Sequence, residues 1–229
     1  MDKPDIIVSV VIPVYNSAET LHALNDRLVS VMEDLVGPQY EIIFVNDGSK
    51  DSSWDRLKQI ASENEKIIAI NLTRNFGQHN AIMCGFSQAR GIYVVTIDDD
   101  LQIPPEEIPK IFEKIESGYD VVYGVYEQKQ HTAFRNLSSK LVQYAYRRTF
   151  NLNLAITSFR IIRREIVQFI RSYEKSFTYI DGLLAWFTQN IGNVTVKHQK
   201  RKVAKSGYSL TNLMMLALNM MTNFSIVPL

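Results

Sequence analysis

A chain of 229 residues, 46% hydrophobic and 21% charged, has the composition of a globular protein with a real core, arranged as one large domain or two small ones. Its single cysteine, Cys84, excludes an internal disulfide and a cysteine-rich zinc site, and such cysteine usage points to a reducing, cytoplasmic compartment. The net charge of +1 conceals a split, with 10 Lys and Arg against 20 Asp and Glu from Met1 to Gly124, then 15 against 4 from Val125 to Leu229. The acidic half suits a metal ion, and the basic half an anionic acceptor or a membrane surface.

Met1 to Asp5 lead straight into a strand pattern, without the basic and apolar segments of a secretory leader. Ile6 to Val14 reads as a buried strand, followed by the turn Pro13-Val14-Tyr15-Asn16, then Glu19 and a helix over Thr20 to Val36. No glycine precedes Gly37, so the glycine-rich phosphate turn of a dinucleotide-binding dehydrogenase is absent. Tyr15 fits either the wall of a base or ribose pocket or a strand-end core position. Tyr40 to Val45 is a second strand ending in Asn46-Asp47-Gly48-Ser49, with a helix over Ser52 to Asn64. Asp47 there either accepts from a nucleobase N–H or ribose hydroxyl, or simply forms an Asp-Gly turn.

Ile67 to Leu72 is the third strand, and Arg74 at its end could fork onto phosphate oxygens. The next helix runs from Gln78 to Ala89. It carries His79, read as a surface or capping residue because no second histidine stands at ligand spacing, and Cys84, read as packing. Tyr93 to Pro105, Y-V-V-T-I-D-D-D-L-Q-I-P-P, is the fourth strand closed by three carboxylates. In extended backbone Asp98 and Asp100 share one side and Asp99 takes the other. Two carboxylates on one side repel unless a cation lies between them, and oxygen donors in that pattern suit Mg²⁺ or Mn²⁺ bridging to a diphosphate. A solvated acidic turn before the helix from Pro104 to Ser117 is the plainer account. A fifth strand at Tyr119 to Val125 completes an alternation that predicts a mostly parallel sheet covered by helices on both faces.

The rhythm then changes. Thr132 to Phe150 reads as a long helix, Ile156 to Arg163 as a strand, Arg164 to Ser172 and Asp181 to Asn190 as helices, and Asn193 to His198 as a short strand. Lys197 to Tyr208 is a basic run suited to phosphates or anionic lipid. Nucleic acid is the weaker partner, since no recognition module accompanies the run. Leu210 to Leu229 is apolar but interrupted by Asn212, Asn219 and Asn223, so an interfacial helix, or one packed on the domain, fits better than a bilayer span of about 20 residues.

In order and spacing, V-V-I-P-V-Y-N, F-V-N-D-G-S, L-T-R-N-F-G-Q, I-D-D-D-L-Q-I-P-P-E and R-K-V-A-K-S-G-Y-S-L resemble the inverting family 2 glycosyltransferases of GT-A fold. The branch most similar contains dolichyl-phosphate mannosyltransferase and the bacterial polyprenyl-phosphate glycosyltransferases of cell-envelope polysaccharide synthesis. The resemblance implies an α/β GT-A domain over residues 1–208, with a nucleotide-sugar half to residue 125, an acceptor half from 126, and a juxtamembrane helical tail over 209–229.

It further implies that Pro13, Tyr15, Glu19, Asp47, Arg74, Asp98, Asp99 and Gln102 bind the nucleotide sugar, of UDP or GDP type. Asp98 and Asp100 would form the D-x-D metal site for Mg²⁺ or Mn²⁺. Arg160, Arg201 and Ser206 would meet the acceptor phosphate, with Arg160 and Arg201 also stabilising the reacting diphosphate. Ser158 stands where relatives often carry a carboxylate, so a catalytic base there is in question. Asp181 becomes the base to consider if the acceptor is a hydroxyl. The expected enzyme works at the cytoplasmic face of a membrane, either as a homo-oligomer or alone. Two rival readings remain: a soluble family 2 transferase acting on a saccharide hydroxyl, and a non-catalytic nucleotide-sugar-binding scaffold.

Overall fold

The computed structural model describes residues 6–126, 155–173 and 179–199. Strand β1 (Val8–Val14) is buried along its whole length. Val8, Val10, Ile12 and Val14 enter one core and Val11 the other, as a strand covered on both faces requires. Strand β2 (Tyr40–Asn46) pairs on one side of β1 and β4 (Tyr93–Thr96) on the other, while β3 (Ile67–Asn71) adds outside β2, all parallel.

Helices α1 (Leu21–Val36) and α2 (Ser53–Glu63) cover one face, and α3 (Gln78–Gln88) the other. Leu21, Leu24, Leu28, Val31 and Met32 recur at helical spacing on α1 and form its buried stripe. Helix α3 sits so close to the sheet that a Cβ on Gly85 would lie 2.3 Å from Val11 Cγ1, so any larger residue there would push the helix away. After β4 a single 3₁₀ turn (Pro105–Glu107) leads into α4 (Ile108–Glu116), where a continuous helix from Pro104 is predicted. Strand β5 is Val121–Val125.

The second half departs from a simple parallel alternation. Strand β6 (Arg160–Arg163) lies antiparallel between β4 and β5 and, with β7 (Ile191–Thr195) at the far edge, gives the seven-stranded order β3-β2-β1-β4-β6-β5-β7. It spans half of the predicted Ile156 to Arg163, because the preceding residues turn away to form a wall of the site described below. Helices α5 (Arg164–Arg171) and α6 (Ile180–Phe187) close the second face.

Strand β7 (Ile191–Thr195) begins and ends earlier than predicted. It is paired in parallel with β5 from Val121↔Ile191 to Val125↔Thr195, and Gly192 packs against the Tyr119 ring. That pairing, a tertiary matter, overrides the local helical pattern up to Asn190. Among the described residues no helix is long and apolar enough to cross a membrane. The predicted helix over Thr132 to Phe150 and the tail from Leu210 lie outside the described residues.

At the amino-terminal edge of the sheet a buried carboxylate joins three segments. Glu41 accepts from the Ser9 hydroxyl at 2.7 Å and from the Arg90 backbone N–H at 2.7 Å, while the Arg90 guanidinium grips its other oxygen at 2.7 and 2.9 Å. Ser9 Oγ in turn accepts from Gly91 N–H at 2.8 Å. All polar atoms brought together at this buried point are paired, so the clamp fixes the start of β4 against β1 and β2.

Candidate active site

The carboxyl ends of β1, β2, β3 and β4 share one edge, and the strand order reverses between β1 and β4. Open α/β sheets bind ligands in the crevice at such a reversal. The three aspartates after β4 lie there, and their alternation is observed. Asp98 and Asp100 line a cleft of about 100 Å³, whereas Asp99 turns to β1 and accepts the Tyr15 backbone N–H at 3.1 Å. Thr20 Oγ1 donates to the Asp99 carbonyl at 2.7 Å, so Asp99 fastens the turn after β1 to the end of β4. Burial pushes the Asp99 carboxyl up to about 6, with the charges of Asp98 and Asp100 acting in the same sense against its hydrogen bonds.

Both oxygens of Asp98 are held. Gln78 Nε2 donates to Oδ1 at 2.7 Å and Ser158 Oγ to Oδ2 at 2.5 Å. Desolvation raises the Asp98 pKa, the Ser158 bond lowers it, and the charge of Asp100 raises it again. The Gln102 N–H donates to Asp100 Oδ1 at 3.0 Å. Between these two residues Leu101 takes φ 58°, a left-handed conformation costing a branched residue about 1–2 kcal/mol. Strain of this kind gathers at functional sites.

Among the described residues, four stretches of chain contribute to the cleft: Asp98 to Ile103, Tyr126, Ile156 to Ser158, and His198. Tyr126 and His198 stack with ring centroids 4.0 Å apart and planes inclined by 22°. The Tyr126 phenol is shifted upward, first by burial and then by the negative charges of Asp98 and Asp100. The two converging carboxylates make the cleft a place suited to a cation. Two aspartates converging on one space are oxygen donors of the type that hold Mg²⁺ or Mn²⁺ together with phosphate oxygens and water. Among the described residues no group of three His, Cys, Asp or Glu side chains forms a closed metal cage, so phosphate and water would complete the shell. The volume accommodates an ion and part of a diphosphate, well short of the ~300 to 1,000 Å³ of a typical ligand pocket.

The other predicted site residues fall into three groups. Tyr15 is 45% exposed at the β1 end beside the cleft, and Glu19 is exposed on the turn before α1. Pro13 is buried within β1, and Arg74 is exposed with its guanidinium 4.8 Å from the Phe76 ring centroid. Asp47 is buried, and its two oxygens accept the N–H groups of Phe76 and Gly77 at 2.7 and 2.9 Å. The loop after β3 is thus seated directly on the turn after β2. A Cβ on Gly48 (φ 65°) would meet the Arg74 backbone carbonyl carbon at 2.5 Å.

Arg160 and Asp181 are outside the cleft. Arg160 is 1% exposed, ion-paired with Asp181, and donates from Nε to Thr96 Oγ1 at 3.2 Å. Asp181, in the first turn of α6, also accepts from the Tyr123 hydroxyl at 2.9 Å. An aspartate committed to a buried ion pair is badly placed to take a proton from substrate. Thr96 Oγ1 donates to the Ser158 carbonyl at 2.5 Å, so Thr96 and Ser158 link the pair to the cleft. His79, read as a surface or capping residue, is instead packed inward, its ring edge-on to Tyr179 at 5.4 Å and its Nδ1 buried without a hydrogen-bond partner. Cys84 is half-buried against the second core, in keeping with packing. Arg201 and Ser206 lie outside the described residues.

Among the polar and aromatic residues that line the cleft or hold its acids, sequence reasoning missed Gln78, Tyr126 and His198, and it read Ser158 only as a departure from the family pattern. Gln78 was within reach as part of the R-N-F-G-Q stretch. The others follow only from the fold.

The glycosyl transferase family 2 model matches residues 9–171. The chain belongs to that family. The undecaprenyl-phosphate 4-deoxy-4-formamido-L-arabinose transferase of Pectobacterium atrosepticum is 42% identical over 226 residues, covering 97% of this chain and 68% of that protein. The protein of the same name from Yersinia pestis is 39% identical over 232 residues, covering 100% and 71%. Among solved structures, glucosyl-3-phosphoglycerate synthase from Mycobacterium tuberculosis in complex with Mg²⁺ and uridine diphosphate superposes with a TM-score of 0.71. It is 17% identical, covering 97% of this chain and 81% of that one. S. aureus TarS superposes with a TM-score of 0.61 at 16% identity, covering 97% and 41%. The family 2 chain thus has the GT-A fold that the sequence motifs imply, and it is a glycosyltransferase.

Proposed function

We propose that this family 2 enzyme moves a sugar from a nucleoside diphosphate donor to a polyprenyl phosphate, inverting the anomeric carbon, at the cytoplasmic face of a membrane. The convergence of Asp98 and Asp100 on one cleft at the reversal of the sheet carries the reading. Support for the acceptor comes from relatives whose names specify undecaprenyl phosphate. Support for the donor type comes from GT-A neighbours that hold uridine diphosphate with Mn²⁺ or Mg²⁺, which makes UDP the first nucleotide to test and GDP the second.

A divalent ion held by Asp98 and Asp100 would supply positive charge against the diphosphate as it departs. The protein's own part is preorganisation. Gln78 and Ser158 fix the Asp98 carboxylate, the Gln102 amide fixes Asp100, and Asp99 pins the turn carrying Tyr15, beside which the nucleotide would lie. A phosphate acceptor, whose second pKa is about 6, is mostly ionised at neutral pH and attacks without a strong general base. That accords with Asp181 being consumed in an ion pair. Arg201 and Ser206 remain the proposed acceptor-phosphate contacts, and Tyr15, Glu19, Asp47 and Arg74 the nucleotide contacts. Pro13 shapes the end of β1. The basic character of the chain after Gly124 suits both the lipid phosphate and an anionic leaflet.

Incubation with a panel of UDP- and GDP-sugars, Mn²⁺ or Mg²⁺, and a short-chain polyprenyl phosphate tests the proposal. The expected product is a glycosyl phosphoryl polyprenol formed only with metal. Transfer to a free saccharide hydroxyl in preference to the lipid phosphate would overturn the acceptor assignment. Metal-independent nucleotide binding without any transfer would favour the scaffold reading.

A further inference from the structure

Glu107 is 3% exposed although it is a carboxylate at the amino terminus of α4. An acid at that position is ordinarily explained as a cap or as a partner for the helix dipole, with its side chain in water. Here the side chain makes no capping bond. Its Oε2 instead accepts the backbone N–H of Lys197, 90 residues away, at 3.1 Å and the Lys110 ammonium at 2.5 Å. Burying a carboxylate is costly, and these two charge-assisted bonds offset that cost at one point of the fold.

Lys197 is where the chain leaves β7. Two residues on, the Gln199 N–H donates to the Gln102 carbonyl at 2.7 Å, in the loop that follows Asp100. Val196 N–H donates to the Val125 carbonyl at 2.8 Å. The segment Val196 to Gln199 is therefore laced across the loop after the three aspartates, and His198 between these ties enters the cleft stacked on Tyr126.

We propose that Glu107 is a positioning residue: it pins the exit of β7 to the loop after the acidic run, so setting His198 at the cleft and the point from which the basic run departs. The inference rests on the reading of that run as the acceptor-phosphate segment, and the experiment separates the two.

Trypsin cleavage after Lys197 in the folded protein reads the brace directly. In Glu107→Ala the rate of cleavage there rises about tenfold, the equivalent of one lost charge-assisted hydrogen bond, while Glu107→Gln, whose amide oxygen still accepts the Lys197 N–H, stays within about twofold of the parent. Lys110→Ala, which leaves the Lys197 bond in place, behaves like Glu107→Gln. Equal cleavage in all four proteins overturns the proposal.

Calorimetry of the intact proteins supplies the second readout. Glu107→Ala weakens binding of a short-chain polyprenyl phosphate about tenfold and leaves the affinity for UDP with Mn²⁺ within about twofold. Lys197→Pro, which deletes the donated N–H without touching Glu107, gives the same split and serves if Glu107→Ala does not fold. An equal loss for both ligands overturns the positioning role. Faster cleavage with unchanged lipid-phosphate affinity upholds the brace and removes the acceptor reading of the segment.

Discussion

The two halves of this chain build the same sheet by different means. From β1 to β4 the strands pair with one another in parallel, each crossover between them is a helix of 11 to 16 residues, and the chemistry stands where each strand ends. Beyond β5 the sheet is completed by β6, a reversed strand of 4 residues wedged between two earlier ones, and by β7, which returns to pair with β5. The first half sets its acids at strand ends by local pattern and crossover handedness, and its own long-range ties, Glu41 to Ser9 and Arg90 and Asp99 to Tyr15, fasten the strands that carry them. The second is held by long-range polar contacts: the Arg160–Asp181 pair, the Thr96–Ser158 bond and the Glu107–Lys197 bond. A change in the first half should therefore tend to cost activity, and a change in the second to cost stability before activity.

The strongest test of that difference is the buried ion pair. Asp181→Ala or Arg160→Met leaves one charge buried without its partner and should lower unfolding free energy by about 3–5 kcal/mol, read by urea denaturation. Combining Arg160→Met with Asp181→Leu should recover much of that loss, since apolar replacements of buried pairs are often close to neutral. If Asp181→Ala instead abolished transfer with stability intact, Asp181 would be a base after all and the comparison would fail.

Next in size is Asp100→Asn, expected to reduce kcat by about 10²- to 10³-fold, roughly 3–4 kcal/mol of transition-state stabilisation, with little change in melting temperature. Near-normal turnover would remove the metal site from the mechanism.

Asp47 tests the first half for a structural exception. Asp47→Ala frees the Phe76 and Gly77 amides and should destabilise by about 1–3 kcal/mol while weakening UDP binding through the displaced loop. A large loss of nucleotide affinity without loss of stability would assign Asp47 to direct contact with the base.

The smallest effect is a pH slope. Burial depresses the His79 pKa, Asp181 opposes this, and Arg160 adds to it. The unfolded chain, with its imidazole near ~6.5, thus binds more protons than the folded one at mildly acid pH. Stability from this group is present above about 6.5 and is lost progressively as pH falls from there toward the depressed folded value. His79→Gln should flatten the difference in unfolding free energy between pH 7.5 and 5.5 relative to the parent. Identical slopes would show that His79 titrates alike in both states.

The alternation of the first half was legible because it is written in local chemistry. Apolar runs such as Val8 to Val14 admit few other states, and parity put Asp98 and Asp100 on one side and Asp99 on the other, although β4 ends at Thr96 and it is a turn that delivers this arrangement. The motifs also carried the family, since R-N-F-G-Q and D-x-D-L-Q-x-P-P-E depend only on order. What stayed hidden was any contact made across the chain. Arg160 reads as a phosphate ligand and Asp181 as a base, because burial and pairing over 21 residues leave no mark in sequence. Ser158 and His198 reach the cleft only because β6 starts late and β7 ends early, and both boundaries follow from pairing with β5.

The sequence by itself determined the family, the parallel half of the sheet and which acids share a side, since these rest on periodicity and on motifs read along the chain. Tertiary structure alone decided which charged groups meet the cleft and which are spent holding it. Burial, ion pairing and strand register depend on residues tens of positions apart, and their energies exist only once those residues are in contact.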